Sequence, residues 1–139
     1  MAPAVKIQNR LMPLSLALRY VMKYQPKGAV GDQDLGDPDG LCNIWCYDQT
    51  PLWGAAEVYL LQLRVRRTLP RIRQPILLFQ GRRDATLTPE AAQIAYDEVA
   101  SADKTLVWLE HSGHNVLADG ERETLWARSQ AWIMQRAGL

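Results

Sequence analysis

The sequence predicts an α/β fold, with parallel strands and flanking helices preceded by a mainly helical region. Two observations carry this expectation. After Pro75 the pattern runs strand, helix, strand, helix. Both apolar runs, ILLFQ and KTLVWLE, are short and nearly continuous, as strands covered on both faces of a parallel sheet read.

Taken in order, residues 11–24 place Leu11, Leu14, Leu18, Val21 and Met22 at helical spacing, and Pro26 and Gly28 stop the helix. GDQDLGDPDG then reads as a solvated polar loop. Thr50 as N-cap and Pro51 at the first helical position announce a second helix, LWGAAEVYLLQLRVRR, which lasts until Pro70. Both helices carry apolar surface that needs something to cover. ILLFQ is the first long strand, closed by Gly81, and Thr88 and Pro89 open a helix to about Val99. KTLVWLE is the next strand. Asp119 then caps a final helix that sets Leu125, Trp126, Ser129, Trp132 and Ile133 on one side.

The 139 residues suffice for one domain, and 47% hydrophobic with 22% charged is ordinary globular composition. A net charge of +1 gives no overall case for nucleic acid or a membrane surface. The apolar start is broken by Pro13 and Arg19, so neither a signal peptide nor a membrane span is expected. Cys42 and Cys46 are too few and too close for a secreted disulfide framework, and a cytoplasmic setting fits them best.

Several local features carry a sharper and a plainer interpretation, and the plainer one is favoured each time. Cys42, Cys46, His111 and His114 are zinc-type ligands, but dozens of residues separate the halves, so no metal is expected and the cysteines read as small apolar residues. The aspartate-rich loop lacks calcium ligands, since from Asp32 the fifth place is Gly36 and the twelfth Asn43. Arg64, Arg66, Arg67, Arg71, Arg73, Arg82 and Arg83 form a basic run without interleaved aromatics, which fits a helix end and a solvated linker better than a nucleic-acid contact. Trp45, Trp53 and Tyr59 read as packing residues, with a lining for an apolar channel as the alternative.

The chemistry gathers at the carboxyl ends of the two strands, where open α/β sheets place their ligands. FQGRRDAT sets Asp84 in the loop after the first strand, and LEHSGHN sets His114 in the loop after the second. Neighbouring parallel strands would bring both loops to one edge. The Asp84 carboxylate could then accept the Nδ1 proton of His114 and leave Nε2 as a general base. His111 and Ser112 are not cast in catalytic roles.

From about residue 75 to 133 the chain resembles the carboxyl-terminal end of an α/β-hydrolase, and more narrowly the carboxylesterase and monoacylglycerol-lipase branch. The pattern that carries the resemblance is proline, apolar strand, Q-G-x-x-D, P-E-A-A, W-L-E-x-S-G-H and D-x-E-R. It implies that Asp84 and His114 are the acid and the histidine of a serine triad. It also implies that APAVKI ends a core strand and that residues from about 9 to 69 form a helical cap over an acyl pocket. The domain division is accordingly 1–70, end of a core strand and cap, and 71–139, carboxyl-terminal part of the core.

The G-x-S-x-G elbow of such enzymes is absent from the 139 residues. The one glycine pair at that spacing, Gly36 and Gly40, has Pro38 between them. The expectation is therefore an ester hydrolase present as a fragment, inactive alone, without a cofactor. Its partners would be an ester or acylglycerol substrate in the complete enzyme and a missing amino-terminal half or a second copy. A non-catalytic lipid- or protein-binding module derived from the fold is the alternative.

Overall fold

The computed structural model describes residues 3–26, 34–37, 39–40 and 47–138. In chain order these form helix α1 (Ser15–Leu18), strands β1 (Tyr24–Pro26) and β2 (Gln49–Pro51), helix α2 (Leu52–Thr68), strand β3 (Ile76–Gly81), helix α3 (Glu90–Glu98), strand β4 (Lys104–Leu109) and helix α4 (Arg122–Ala137).

The strands β3 and β4 pair in parallel, from Ile76 opposite Lys104 to Gly81 opposite Leu109. Parallel neighbours need a crossover, and α3 supplies it. Because side chains alternate across a strand, Leu78 enters one core with Leu87, Ala91, Ala95 and Val99, while Phe79 enters a second with Val107, Leu109, Val116 and Leu125. The small Ala91, Ala92 and Ala95 are fully or almost fully buried, so α3 lies close on the sheet. The Lys104 ammonium closes the end of α3, donating to the carbonyls of Tyr96 at 2.7 Å and Val99 at 3.2 Å.

The strands therefore lie where the apolar runs place them, and three details differ. The expected helix over residues 11–24 reduces to a 3-10 turn at Met12–Leu14 and the short α1. Its apolar stripe stays largely exposed at Leu11, Leu14 and Val21, and with little of a buried face so short a helix has little to hold it. The chain instead extends at β1 and pairs antiparallel with β2, setting Thr50 opposite Gln25. This pairing holds Thr50 in a strand. The extended cap residue of α2 is then Pro51 (ψ 125°), and the helix starts one residue later than expected, without a side-chain cap.

The third difference concerns α4. Asp119 does not cap it; the residue at the cap position is Glu121, and the Asp119 carboxylate turns back into the loops described below. On α4 Leu125 is buried, whereas Trp126 and Ile133 are exposed, 52% and 59%, so the expected single apolar face is only partly covered. Two arginines of the basic run are paired at the surface, Arg66 with Glu98 and Arg82 with Glu110, each at 3.4 Å. Trp53 stacks beneath the Arg19 guanidinium and meets Tyr20 edge-on. Cys42, Cys46 and Trp45 lie outside the described residues, as do Asp32 and Asn43.

Candidate active site

Beyond the carboxyl ends of β3 and β4 the two loops stay in register. The Arg82 N–H donates to the Leu109 carbonyl at 2.8 Å, and the Arg83 N–H to the Ser112 carbonyl at 3.0 Å. This close approach explains Gly81, where a Cβ would overlap the carbonyl oxygens of Ser112 and Gly113. The loops bearing Asp84 and His114 thus share one rim.

Asp84 and His114 come together across that rim. The His114 Nδ1 lies 3.1 Å from Asp84 Oδ2, with the Asp84 side chain buried and that of His114 31% exposed. Three donors also reach the carboxylate: the N–H groups of Thr86 and Leu87 reach Oδ1 at 2.9 and 2.7 Å, and the Gln80 amide reaches Oδ2 at 2.6 Å. Burial pushes the Asp84 carboxyl up, but the bonds from His114, Leu87 and Gln80 together bring it below the ordinary carboxylate value. An ionised carboxylate can only accept, so the shared proton sits on Nδ1. The neutral ring then carries its free lone pair on Nε2. The bond to Asp84 raises the His114 pKa, burial lowers it, and the charges of Asp84 and Asp34 add to the rise, for a net upward shift.

Three further acids hold the loops, and their roles were not apparent from the sequence. The buried Asp119 carboxylate accepts four backbone N–H groups: Gly36 and Asp37 at 2.8 Å, Gly113 at 2.6 Å and Gly120 at 2.8 Å. Glu121 accepts from the N–H groups of Glu110 and His111 at 3.2 and 2.8 Å, and from the buried Ser112 hydroxyl at 2.7 Å. Burial raises both pKa values, but the bonds outweigh it and leave each lowered. The third acid is Asp34, whose Oδ2 accepts the Ala85 and Thr86 N–H groups at 2.8 and 2.7 Å. The residues 34–37 are half-buried, so this stretch of the aspartate-rich loop is not the solvated turn its composition suggests. The motif D-x-E-R did contain Asp119 and Glu121. For Asp34 no local signal existed, since its partners are about fifty residues away in the chain.

Of the other residues weighed, Ser112 is buried against Glu121, and His111 Nδ1 lies 3.4 Å from the Arg83 guanidinium. Asp34, Asp84 and His114 each bring a potential ligand atom within 4.8 Å of one another. Asp34 Oδ2 and both Asp84 oxygens accept N–H donors, so the three side chains form a hydrogen-bonded hub. The hub positions an acid beside a base and can move a proton.

The family model described as serine aminopeptidase, S33 (Hydrolase_4) matches residues 1–121. The chain belongs to this family of α/β-hydrolases. Among its relatives, a carboxylesterase of Bacillus subtilis (strain 168) is 35% identical over 77 residues, 55% of this chain and 31% of that protein. A thermostable monoacylglycerol lipase of Bacillus sp. (strain H-257) is 28% identical over 105 residues, 76% of this chain and 41% of that protein. These two relatives support the chain's resemblance to the carboxylesterase and monoacylglycerol-lipase-like branch. Its fold is shared with a solved structure described under the metagenome-derived lipolytic enzymes LipS and LipT, with a TM-score of 0.82 at 22% identity over 94% of this chain and 51% of that one. The chain therefore spans about a third to a half of the proteins it matches. Among the described residues no helix is long and apolar enough to cross a membrane.

The shifted groups make folding stability depend on pH in two opposite ways. Asp84, Asp119 and Glu121 have folded pKa values below their unfolded ones, so their contribution is present above about pH 4 and is lost as acid titrates through the folded values. His114 is raised above its ordinary 6.5, so its contribution is complete below that value and is lost as pH rises through the folded pKa. Urea midpoints are expected to be highest between these limits and to fall on either side. A midpoint that climbs steadily to pH 9 would contradict the assignment.

Proposed function

We propose that these residues supply the acid and base of a serine hydrolase that cleaves carboxylic esters, acylglycerols among them. The observation that carries the reading is the 3.1 Å contact of Asp84 Oδ2 with His114 Nδ1 at the carboxyl ends of adjacent parallel strands. The names of the bacterial relatives favour ester substrates.

In this reading His114 Nε2 takes the proton of a serine hydroxyl as its oxygen attacks the ester carbonyl. Asp84 holds the ring in the right tautomer and offsets the imidazolium charge. As the tetrahedral intermediate collapses, His114 gives the proton to the departing alkoxide, which leaves as an alcohol. Water then attacks the acyl-enzyme and loses its proton to Nε2. The proton returns to the serine as the carboxylic acid departs. No cofactor or metal enters the cycle, and a cytoplasmic setting accompanies the reading on the sequence's two cysteines.

The 139 residues contain no G-x-S-x-G, so the serine and its oxyanion donors come from a segment outside them, an amino-terminal half being the partner. Loss of a single oxyanion donor costs about 10²- to 10³-fold in rate, and a base without a serine has no covalent route. The chain alone is therefore expected to hydrolyse p-nitrophenyl butyrate no faster than buffer. Joined to the amino-terminal half of the Bacillus subtilis carboxylesterase, it is expected to turn the ester over. Hydrolysis by the chain alone that His114→Ala abolishes would overturn the need for an outside serine. Absence of turnover in a folded joined protein would favour a binding module, and faster cleavage of an aminoacyl anilide would overturn the choice of ester.

A further inference from the structure

We infer that Asp34 is a positioning residue for His114, tying the acid loop to the histidine loop and setting a second negative charge beside the imidazole. The functional sense of this rests on reading His114 as the base; the geometry stands apart from it.

Asp34 meets both loops, with different atoms. Its Oδ2 accepts the N–H groups of Ala85 and Thr86 at 2.8 and 2.7 Å, directly after Asp84. Its backbone carbonyl accepts the His114 N–H at 2.8 Å and the Asn115 N–H at 3.4 Å. The carbonyl also presses on Gly113, where a Cβ would overlap it. To serve both loops the residue takes φ 50°, a left-handed conformation that aspartate tolerates better than most residues.

The Thr86 N–H is shared between Asp34 Oδ2 and Asp84 Oδ1. A common donor links the two side chains directly. The carboxylate of Asp34 thus lies in the group within 4.8 Å that includes Asp84 and His114, and its charge adds to the upward shift of the imidazole. Among the described residues, charged groups of these loops have other partners: Arg83 meets His111, Glu121 the Glu110 and His111 N–H groups, and Asp119 the Gly113 N–H.

The test is an NMR titration of the His114 ring in the 139-residue chain. Asp34→Asn keeps the shape and one accepting oxygen while removing the charge, and is expected to lower the His114 midpoint by about half a pH unit. Asp37→Asn, in the same loop, is expected to leave it unchanged. Asp34→Gly keeps the left-handed backbone and the carbonyl but removes the carboxylate, and is expected to speed amide exchange at Ala85 by about fivefold or more. An unchanged His114 midpoint in a folded Asp34→Asn chain, or an equal shift in Asp37→Asn, would overturn the inference. If Asp34→Gly fails to fold, Asp34→Asn still decides. These readouts need no ester, so failed turnover in the joined protein would leave Asp34 in place, and an unmoved midpoint would leave the hydrolase reading in place.

Discussion

In a protein that joins these residues to a G-x-S-x-G half, His114→Ala is expected to lower kcat for a short-chain ester by about 10⁴- to 10⁶-fold, with KM nearly unchanged. The size follows from the position of the ring. Without it nothing takes the serine proton during attack and nothing returns a proton to the alkoxide, so both halves of the cycle fail together. Asp84→Asn is expected to cost less, about 10⁴-fold, because it leaves the ring in place but removes the charge that holds Nδ1 protonated. Since the two residues act as a unit, the double variant should fall little below His114→Ala. Steady-state kinetics on p-nitrophenyl butyrate checks all three. A His114→Ala variant within tenfold of the parent would refute the role of the imidazole.

The largest effect on stability is expected at Asp119. Its carboxylate is 1% exposed as a residue and receives four backbone N–H groups from three separate stretches of chain. A buried donor left without an acceptor costs about 1–3 kcal/mol, and some of these donors can turn to water. Asp119→Ala should therefore lose about 3–5 kcal/mol, near the upper end for a single substitution. Asp119→Asn keeps one oxygen but points an amide donor at N–H donors, and should lose somewhat less. Urea unfolding of the 139-residue chain measures both. A loss below about 1 kcal/mol for Asp119→Ala would mean that the loops are held by other contacts.

The comparison of Asp84 with Asp119 shows what the sequence could and could not reveal. Asp84 follows a strand that ends in a glycine, and His114 follows the next strand, so topology alone brings both to one rim. Strands and crossover were readable because continuous apolar runs and the helix start at Thr88 and Pro89 are local signals. Asp119 offered a local signal too, an acid shortly before a helix, and the signal misled. Its carboxylate satisfies loop N–H groups up to 83 residues away in the chain, which outweighs one helix cap. Asp34 was hidden for the same reason: an aspartate among aspartates looks solvated until the loops it serves are folded against it. Residues 11–24 failed in the opposite direction, since helical spacing holds a helix only where the stripe is buried.

The most direct measurement is the tautomer of His114, read from the ring nitrogen shifts of the 15N-labelled chain at a pH above its titration. Nδ1 is expected to be protonated, with its proton held by Asp84, and Nε2 to be unprotonated. A ring protonated on Nε2 would leave no base facing an incoming hydroxyl and would contradict the role given to His114.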